Sequence, residues 1–401
     1  MKLRSNEPFW LIKNGIKHSY PSVKADIETD IIIIGAGITG SLMAYQCIQD
    51  GYNTVIIDHR EVGHGSTSAT TALLQYEIDV PLYELSKMIG KKAAEQNYLA
   101  CYEAIDILED LSKKIKSRCG FKKKESLFYA AYKKDVDWLK SEFKARQNLN
   151  LPVTWISSDS INKRFGMENT FGGILSQQAG SMDAFRFTHD LLHYSCQKGL
   201  DIYDKTAINH VKYNKSGVMV HTETGHRLQA KKLIYCTGFE STNIIREKFV
   251  DLVSTYAFVG EQHKKGTKKL KDTVFWNSAD PYIYMRATDD GRFLIGGGDV
   301  DFINSKNRDG LINSKVQHLH RHINRIFPSF NIITDFAWAG TFGKTKDGLP
   351  YIGEHPDFKS TYFVLGFGGN GITFSVIGMK IISDLLKGTM HDLSQYYRFG
   401  R

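Results

Sequence analysis

Residues 30–34 read Asp-Ile-Ile-Ile-Ile and run straight into Gly35-Ala36-Gly37-Ile38-Thr39-Gly40. A continuous β-branched run suits a strand buried on both faces of a parallel sheet. Behind the glycines, Ile38, Leu42, Tyr45 and Ile48 fall on one face at helical spacing, and Gly51 is placed to cap that helix. Thr54-Val55-Ile56-Ile57 reads as a second buried strand, ending at Asp58. Together these residues make a βαβ unit. Within it, Gly35 permits the tight turn, Gly37 lets a pyrophosphate approach the backbone, and Gly40 lets the helix pack on the strand. The helix N-terminus faces the phosphates with free N–H groups, and Asp58 is placed to accept hydrogen bonds from ribose hydroxyls. The unit predicts dinucleotide binding.

A length of 401 residues suggests two or three domains. With 35 glycines, 8 prolines and 12% aromatic residues, the chain reads as an enzyme with tight turns, which excludes a disordered polymer. Lysine plus arginine exceed aspartate plus glutamate by 52 − 43 = 9. The lysine-rich stretches Lys113–Lys124 and Lys264–Lys271 read as solvated loops and helix ends, because a nucleic-acid surface would interleave aromatics with the charge. The five cysteines form no CxxC pair, which leaves zinc ribbons and dithiol chemistry unsupported and points to a reducing compartment. No secretory signal and no run of 18 apolar residues is visible, so a cytoplasmic location without a membrane span is expected.

Further along, residues 63–72 form a loop of small residues and 82–116 are predicted mostly helical, with Leu85, Ile89, Ala93, Leu99, Ile105 and Leu108 on an apolar stripe. Strands are expected at 126–132 and 151–156, and a helix at 185–198. Short strands follow through 202–235, several more through 252–300, a helix at 316–326, and a strand at 361–365.

Two later motifs stand out. Leu233-Ile234-Tyr235-Cys236-Thr237-Gly238 is an apolar strand ending in Thr-Gly, which returns the chain to the edge where ligands sit in open α/β sheets. Cys236 reads as a small core residue. Asp347-Gly348-Leu349-Pro350-Tyr351-Ile352-Gly353 precedes Gly366-Phe367-Gly368-Gly369-Asn370-Gly371-Ile372-Thr373. Four glycines ahead of a helix that runs through Leu386 make a second backbone cradle, suited to negative charge on a reduced ring system.

Taken together, the motifs resemble the D-amino-acid oxidase/glycine oxidase superfamily of FAD-dependent oxidoreductases. The likeness covers nearly the whole chain, from Trp10 and Tyr20-Pro21 onward, and is closest to bacterial γ-glutamylputrescine oxidase-like members in WAGTFGKTKDGLPYIG and GFGGNGIT. It implies an α/β fold with a Rossmann-like FAD-binding domain (1–80, 160–240 and 340–401) and an interleaved substrate domain of mixed β-sheet plus helices (81–159 and 241–339). It implies that Gly35, Ala36, Gly37, Ile38, Thr39 and Gly40 hold the FAD pyrophosphate, with Asp58, His59 and Arg60 toward the adenosine. Gly65, Ser66 and Thr67 would line the phosphates and ribityl chain, and Ile208 the adenine. Thr237 and Gly238 would close over the cofactor, and Gly369, Asn370, Gly371 and Ile372 would sit at the flavin's pyrimidine end. In such enzymes a substrate C–H hydride passes to flavin N5 and the imine then hydrolyses.

Three departures shape the expected chemistry. Where glycine oxidase-like enzymes carry a carboxylate-clamping arginine, this chain has Phe342, so an amine or a larger N-substituted amino acid is favoured over a simple α-amino acid. Where some relatives attach FAD through a histidine, it has Ala69, with His64 nearby. No cysteine follows Cys236, so non-covalent FAD is expected. On the substrate side, alternation through 281–287 puts Tyr282, Tyr284 and Arg286 on one face. Tyr284 and Arg286 are candidates to meet the substrate, and Lys344, with Lys346 beside it, is a candidate cation near the flavin. His64 is a candidate flavin contact, while His263 and His355 read as surface residues. The electron acceptor is open between oxygen and a quinone or carrier protein. Rival readings are an amino-acid dehydrogenase, an NAD(P)H-dependent flavin hydroxylase and a non-enzymatic binding module.

Overall fold

The computed structural model describes residues 1–5, 7–263 and 268–401. Lys264 and Lys265, from the second lysine-rich stretch, lie outside the described residues. The Asp30–Ile34 run sits inside the strand Ile27–Ile34, and Ile31 to Ile34 are all buried, Ile32 and Ile33 completely. That strand pairs in parallel with Thr54–Ile57 on one side and Arg227–Tyr235 on the other. The sheet continues in the order Tyr351–Glu354, Thr361–Leu365, Arg227–Tyr235, Ile27–Ile34, Thr54–Ile57, Asp201–Tyr203. Antiparallel strands Ile208–Asn214 and Gly217–Thr222 attach to it through Arg227–Tyr235.

Alternation explains why a solid isoleucine run is needed. Ile31, Ile33, Ile56 and Ile234 point to a layer containing Leu42 and Met43 from the helix Ile38–Gln49, and Phe374 and Ile381 from the helix Gly371–Leu386. Ile32, Ile34, Val55 and Leu233 point the other way, toward Val218, Val220 and Phe239. Each such side chain, fully buried, contributes roughly 1.5–3 kcal/mol. The helix Ile38–Gln49 ends as expected: Gly51 takes φ +85°, and Tyr52 N–H donates to Cys47 O at 3.0 Å.

A second sheet runs Thr334–Lys344, Asp251–Gly260, Phe293–Asp301, Ile283–Ala287, Thr273–Asn277, Lys122–Tyr129, Gly173–Ser181, Leu73–Gln75, with Val153–Ile156 added on Gly173–Ser181. One face packs on the helix Ile312–Ile326 through Leu319 and Ile323. Leu73–Gln75 and Gly173–Ser181 come from stretches expected with the first sheet, yet both pair in the second.

Four local expectations need correction. The helical stretch 82–116 is two helices, Leu82–Ile89 and Lys91–Lys114, broken where Gly90 adopts φ +91°. Leu99 is exposed on the second of them. His355 is buried, not at the surface, because its ring packs among Phe358, Phe363 and Phe399. Lys124 also departs from its solvated stretch: it is buried, donates to Lys271 O, and is pushed down to about 8 by burial and then by Arg286.

Candidate active site

The C-terminal ends of the parallel strands meet one face of the second sheet around a cavity of about 570 Å³. Its first wall is the glycine loop. Gly35 adopts φ +106°, and a Cβ there would lie 2.5 Å from Cys236 O. Gly40 is held even closer, since its Cβ would come within 1.8 Å of Gly35 O. These two glycines therefore serve the chain's own packing, whatever ligand binds. At Gly37 a Cβ would meet Thr67 Oγ1 at 2.9 Å, and that same oxygen accepts Ile38 N–H at 2.9 Å. One helix-terminal N–H is thus already satisfied by the loop that follows the second strand.

Asp58 does two jobs. Oδ2 accepts Ala36 N–H at 2.8 Å, and Oδ1 accepts Arg60 N–H at 2.9 Å, so the carboxylate ties the glycine loop to the end of the second strand. Burial raises its pKa against those bonds. Beside it, the Arg60 guanidinium forms a two-pronged pair with Glu240 at 2.7 and 3.0 Å, while His59 is largely solvated. Ile208 and Glu223 complete that end of the cavity.

The loop after the second strand is held by three large side chains acting on consecutive carbonyls. Trp338 Nε1 donates to Ala69 O at 2.8 Å, Trp10 Nε1 to Thr70 O at 2.6 Å, and Arg286 Nε to Thr71 O at 2.8 Å. Arg286 Nη2 also donates to Met182 O at 3.1 Å. The face that carries Tyr284 to the main cavity therefore carries Arg286 beneath the loop, where it lines a second cavity with Trp10, Lys122 and Lys124.

The C-terminal cradle closes the opposite wall. Gly369 N–H donates to Asp79 Oδ2 at 2.8 Å, and Asn370 Nδ2 donates to Gln75 O at 2.9 Å. A Cβ on Gly369 would lie 2.7 Å from Asp79 Oδ1 and 2.9 Å from the Tyr282 hydroxyl. Asn370 is the N-cap of the helix Gly371–Leu386, so the N-terminal end of that helix faces the cavity beside Ile372 and Thr373.

Beyond the cradle the lining changes to Glu77, Asp79, Thr255, Trp276, Tyr282, Tyr284 and Asp299. A bulge places Asp299. Ser254 pairs with Val300 and Tyr256 with Gly297, so Thr255 opposes both Gly298 and Asp299. Gly297 and Gly298 take φ +130° and +69°, and Lys315 Nζ donates to Gly298 O at 2.7 Å. Burial, with the charge of Asp79, pushes the Asp299 carboxyl up to about 6 against the Thr255 hydroxyl and Lys344. Asp79 is exposed at the cavity, and desolvation by the surrounding walls raises it, opposed by Gly369 N–H, Lys344 and the Tyr282 hydroxyl.

Most of the residues singled out in the sequence line this one cavity: Gly35, Gly37, Ile38, Thr39, Asp58, His59, Arg60, Gly65, Ser66, Thr67, Ile208, Thr237, Gly238, Gly369, Asn370, Gly371, Ile372, Tyr284 and Phe342. Ala36 and Gly40 sit behind it as packing. Lys344 is exposed and outside the lining, although its charge acts on Asp79 and Asp299. Lys346 is exposed and bonds Arg401 O. His64 packs on Phe185 at 5.7 Å outside the lining, and Cys236, expected as core, is both buried and at the cavity wall. Asp79, Asp299 and Trp276 escaped the sequence reading. A run of three glycines before Asp299 was the one available sign of a re-aimed side chain.

The cavity suits FAD. Backbone cradles stand on two sides, a carboxylate sits where a ribose would, and among the described residues Ser66 Oγ, Gln75 Nε2 and Thr237 Oγ1 are buried polar atoms without a protein partner at its wall. Such a doubly cradled Rossmann-type site defines an FAD-dependent oxidoreductase. The family model for FAD dependent oxidoreductases (DAO) matches residues 30–385, and the chain belongs to that family. It is 23% identical to glycine oxidase of Geobacillus kaustophilus, over 92% of this chain and 96% of that one. It is 20% identical to gamma-glutamylputrescine oxidoreductase of Escherichia coli, over 92% and 86%. The crystal structure of glycine oxidase from Geobacillus kaustophilus superposes with a TM-score of 0.78 at 18% identity, covering 94% of this chain and 99% of that one. The cofactor is FAD, and the chain is an amine or amino-acid oxidoreductase. Among the described residues no helix is long and apolar enough to cross a membrane.

Proposed function

We propose that the protein oxidises a C–N bond of an amine or N-substituted amino acid, giving an imine that water hydrolyses to a carbonyl compound and an amine or ammonia. Bound FAD supplies the acceptor for the hydride that leaves the carbon next to nitrogen. Oxygen or a quinone or carrier protein then takes the two electrons away. The observation that carries this reading is the lining at Phe342. An aromatic ring faces the cavity there, and among the described lining residues the one arginine is Arg60, at the Asp58 end. Among the described lining residues no guanidinium stands beside Phe342 to clamp a carboxylate.

Each wall has a part in this reading. Gly35, Gly37 and Thr67 shape the pyrophosphate seat, and Asp58 takes the ribose hydroxyls. Thr237 and Gly238 flank the middle of the cofactor, and Gly369 to Ile372 face the pyrimidine edge. Ala69 brings only a methyl group to the loop, so FAD is held without a covalent bond. Tyr284, pushed up to about 12 by burial, stays a neutral hydroxyl and orients the substrate. The rings of Trp276, Tyr282 and Tyr284, with substrate in place, exclude water from the reacting carbon.

The test is anaerobic bleaching of the flavin with a panel of alkyl amines, γ-glutamyl amines, N-methyl amino acids, D-amino acids, glycine and proline. Bleaching by amines lacking an α-carboxylate is expected. Bleaching by glycine or D-amino acids alone would overturn the substrate reading and leave the flavoenzyme.

A further inference from the structure

Within the reading just given, the substrate end of the cavity has a chemistry of its own. Glu77, Asp79 and Asp299 all line it. Glu77 is only 3% exposed. Its Oε1 pairs with Arg146 Nη1 at 3.2 Å, while Oε2 is buried without a hydrogen-bond partner. Arg146 is shared with Glu142 at 2.6 Å, and burial raises the Glu77 carboxyl against the pull of Arg146. Asp299 Oδ1 is likewise buried and unpartnered. Two lysines act on the pair without entering the cavity: Lys344, exposed outside the lining, acts on both carboxyls, and Lys315, whose ammonium donates to Gly298 O, acts on Asp299. This end of the cavity is thus lined by carboxyl groups, with no lysine or arginine among the described lining residues beside them.

Its walls add a second, independent feature. Trp276, Tyr282 and Tyr284 line the same end, with ring centroids 6.3 Å apart for Trp276 and Tyr282 and 5.8 Å apart for Tyr282 and Tyr284. Gly296 allows this, since a Cβ there would strike the Tyr284 ring at 2.5 Å. Aromatic rings beside carboxyl groups, with no guanidinium among the described lining residues at this end, form the environment that favours an alkylammonium over a neutral or anionic group.

We infer that the substrate carries a second cationic nitrogen, and that Asp79 and Asp299, walled by Trp276, Tyr282 and Tyr284, bind that ammonium while the other, neutral nitrogen is oxidised. The substrate class is then a diamine or a longer polyamine. This rests on the amine reading and narrows it. Asp299, set on its bulge, is the specificity residue. Asp79 holds both the ammonium and the Gly369 N–H of the cradle.

The test compares butylamine with 1,4-diaminobutane, and pentylamine with 1,5-diaminopentane, on the FAD-loaded enzyme. Anaerobic bleaching gives the half-saturating concentration, and the ligand-induced shift in melting temperature gives a readout that needs no turnover. Each diamine is expected to saturate at least roughly tenfold lower than its monoamine, as befits one added charge-assisted contact. Asp299→Asn should abolish that ratio, Asp299→Glu should restore part of it, and flavin content is checked in each. Equal saturation by monoamine and diamine would overturn the inference while the amine reading stands. So would Asp299→Asn slowing both by the same factor, because the carboxylate would then act on the reacting nitrogen. Bleaching by no amine would overturn both.

Discussion

The Thr39 and Ser375 hydroxyls lie 2.7 Å apart although 336 residues separate them, and Ser375 also donates to Gly371 O at 2.7 Å. This contact joins the helix behind the first glycine loop to the helix behind the last, so the two backbone cradles are set at a fixed spacing. Thr39→Val keeps the shape and removes the hydroxyl. It should cost about 1 kcal/mol of stability and weaken FAD retention several-fold. Flavin release during dilution, followed by fluorescence, checks this.

Gly35 offers a sharper case. Its φ of +106° and the 2.5 Å approach of Cys236 O leave no room for a methyl group. Gly35→Ala should destabilise the fold by on the order of 2–4 kcal/mol and yield colourless protein. A yellow variant with an unchanged melting temperature would refute the packing argument.

Arg286 was a substrate candidate in the sequence, but its guanidinium holds Thr71 O and Met182 O. Arg286→Met leaves buried carbonyls unpaired and should lower the melting temperature and flavin affinity together. The ratio of half-saturating concentrations for charged and uncharged substrates should not change. A selective rise for anionic substrates would restore Arg286 as a carboxylate contact.

Acid should release all the FAD. The loop after the second strand presents Ala69, which has no side-chain atom able to bond the flavin and whose carbonyl is held by Trp338. A yellow pellet after acid precipitation would show a covalent link and refute this.

His189 is 3% exposed, and burial, with His18 and His64 nearby, pushes it down to about 4. The unfolded chain binds this proton near pH 6.5 and the folded chain does not. Stability from this group is therefore intact above about pH 6.5 and falls as the pH drops toward 4, by on the order of 3 kcal/mol in total. Melting temperature measured between pH 7 and 4.5 should fall less steeply in His189→Phe than in the native protein.

The first sheet was legible because its information is local. A run like Ile31 to Ile34, buried on both faces and followed at once by glycines at 35, 37 and 40, suits a two-sided parallel sheet ending in a tight turn. Asp58, Thr237 and Gly369 were found for the same reason: each lies a fixed step from a strand end or helix start. The substrate side resisted such reading. Gly173–Ser181 is an interior strand of the second sheet, paired on both sides, yet it buries Ser176, Gln178 and Ser181, so it shows no apolar alternation.

Asp79 and Asp299 were invisible as a pair because 220 residues separate them, and neither sits in a spacing that chemistry requires. They come together because a bulge opposite Thr255 turns Asp299 inward and because the Gly369 amide reaches Asp79. Arg286 and Tyr284 show the converse. Alternation put both on one face, and side-chain reach then sent one under the loop and the other to the cavity. Backbone periodicity is written in neighbouring residues. The direction of a charged side chain depends on the partners that distant segments bring to it, and those partners exist only once the two sheets have met.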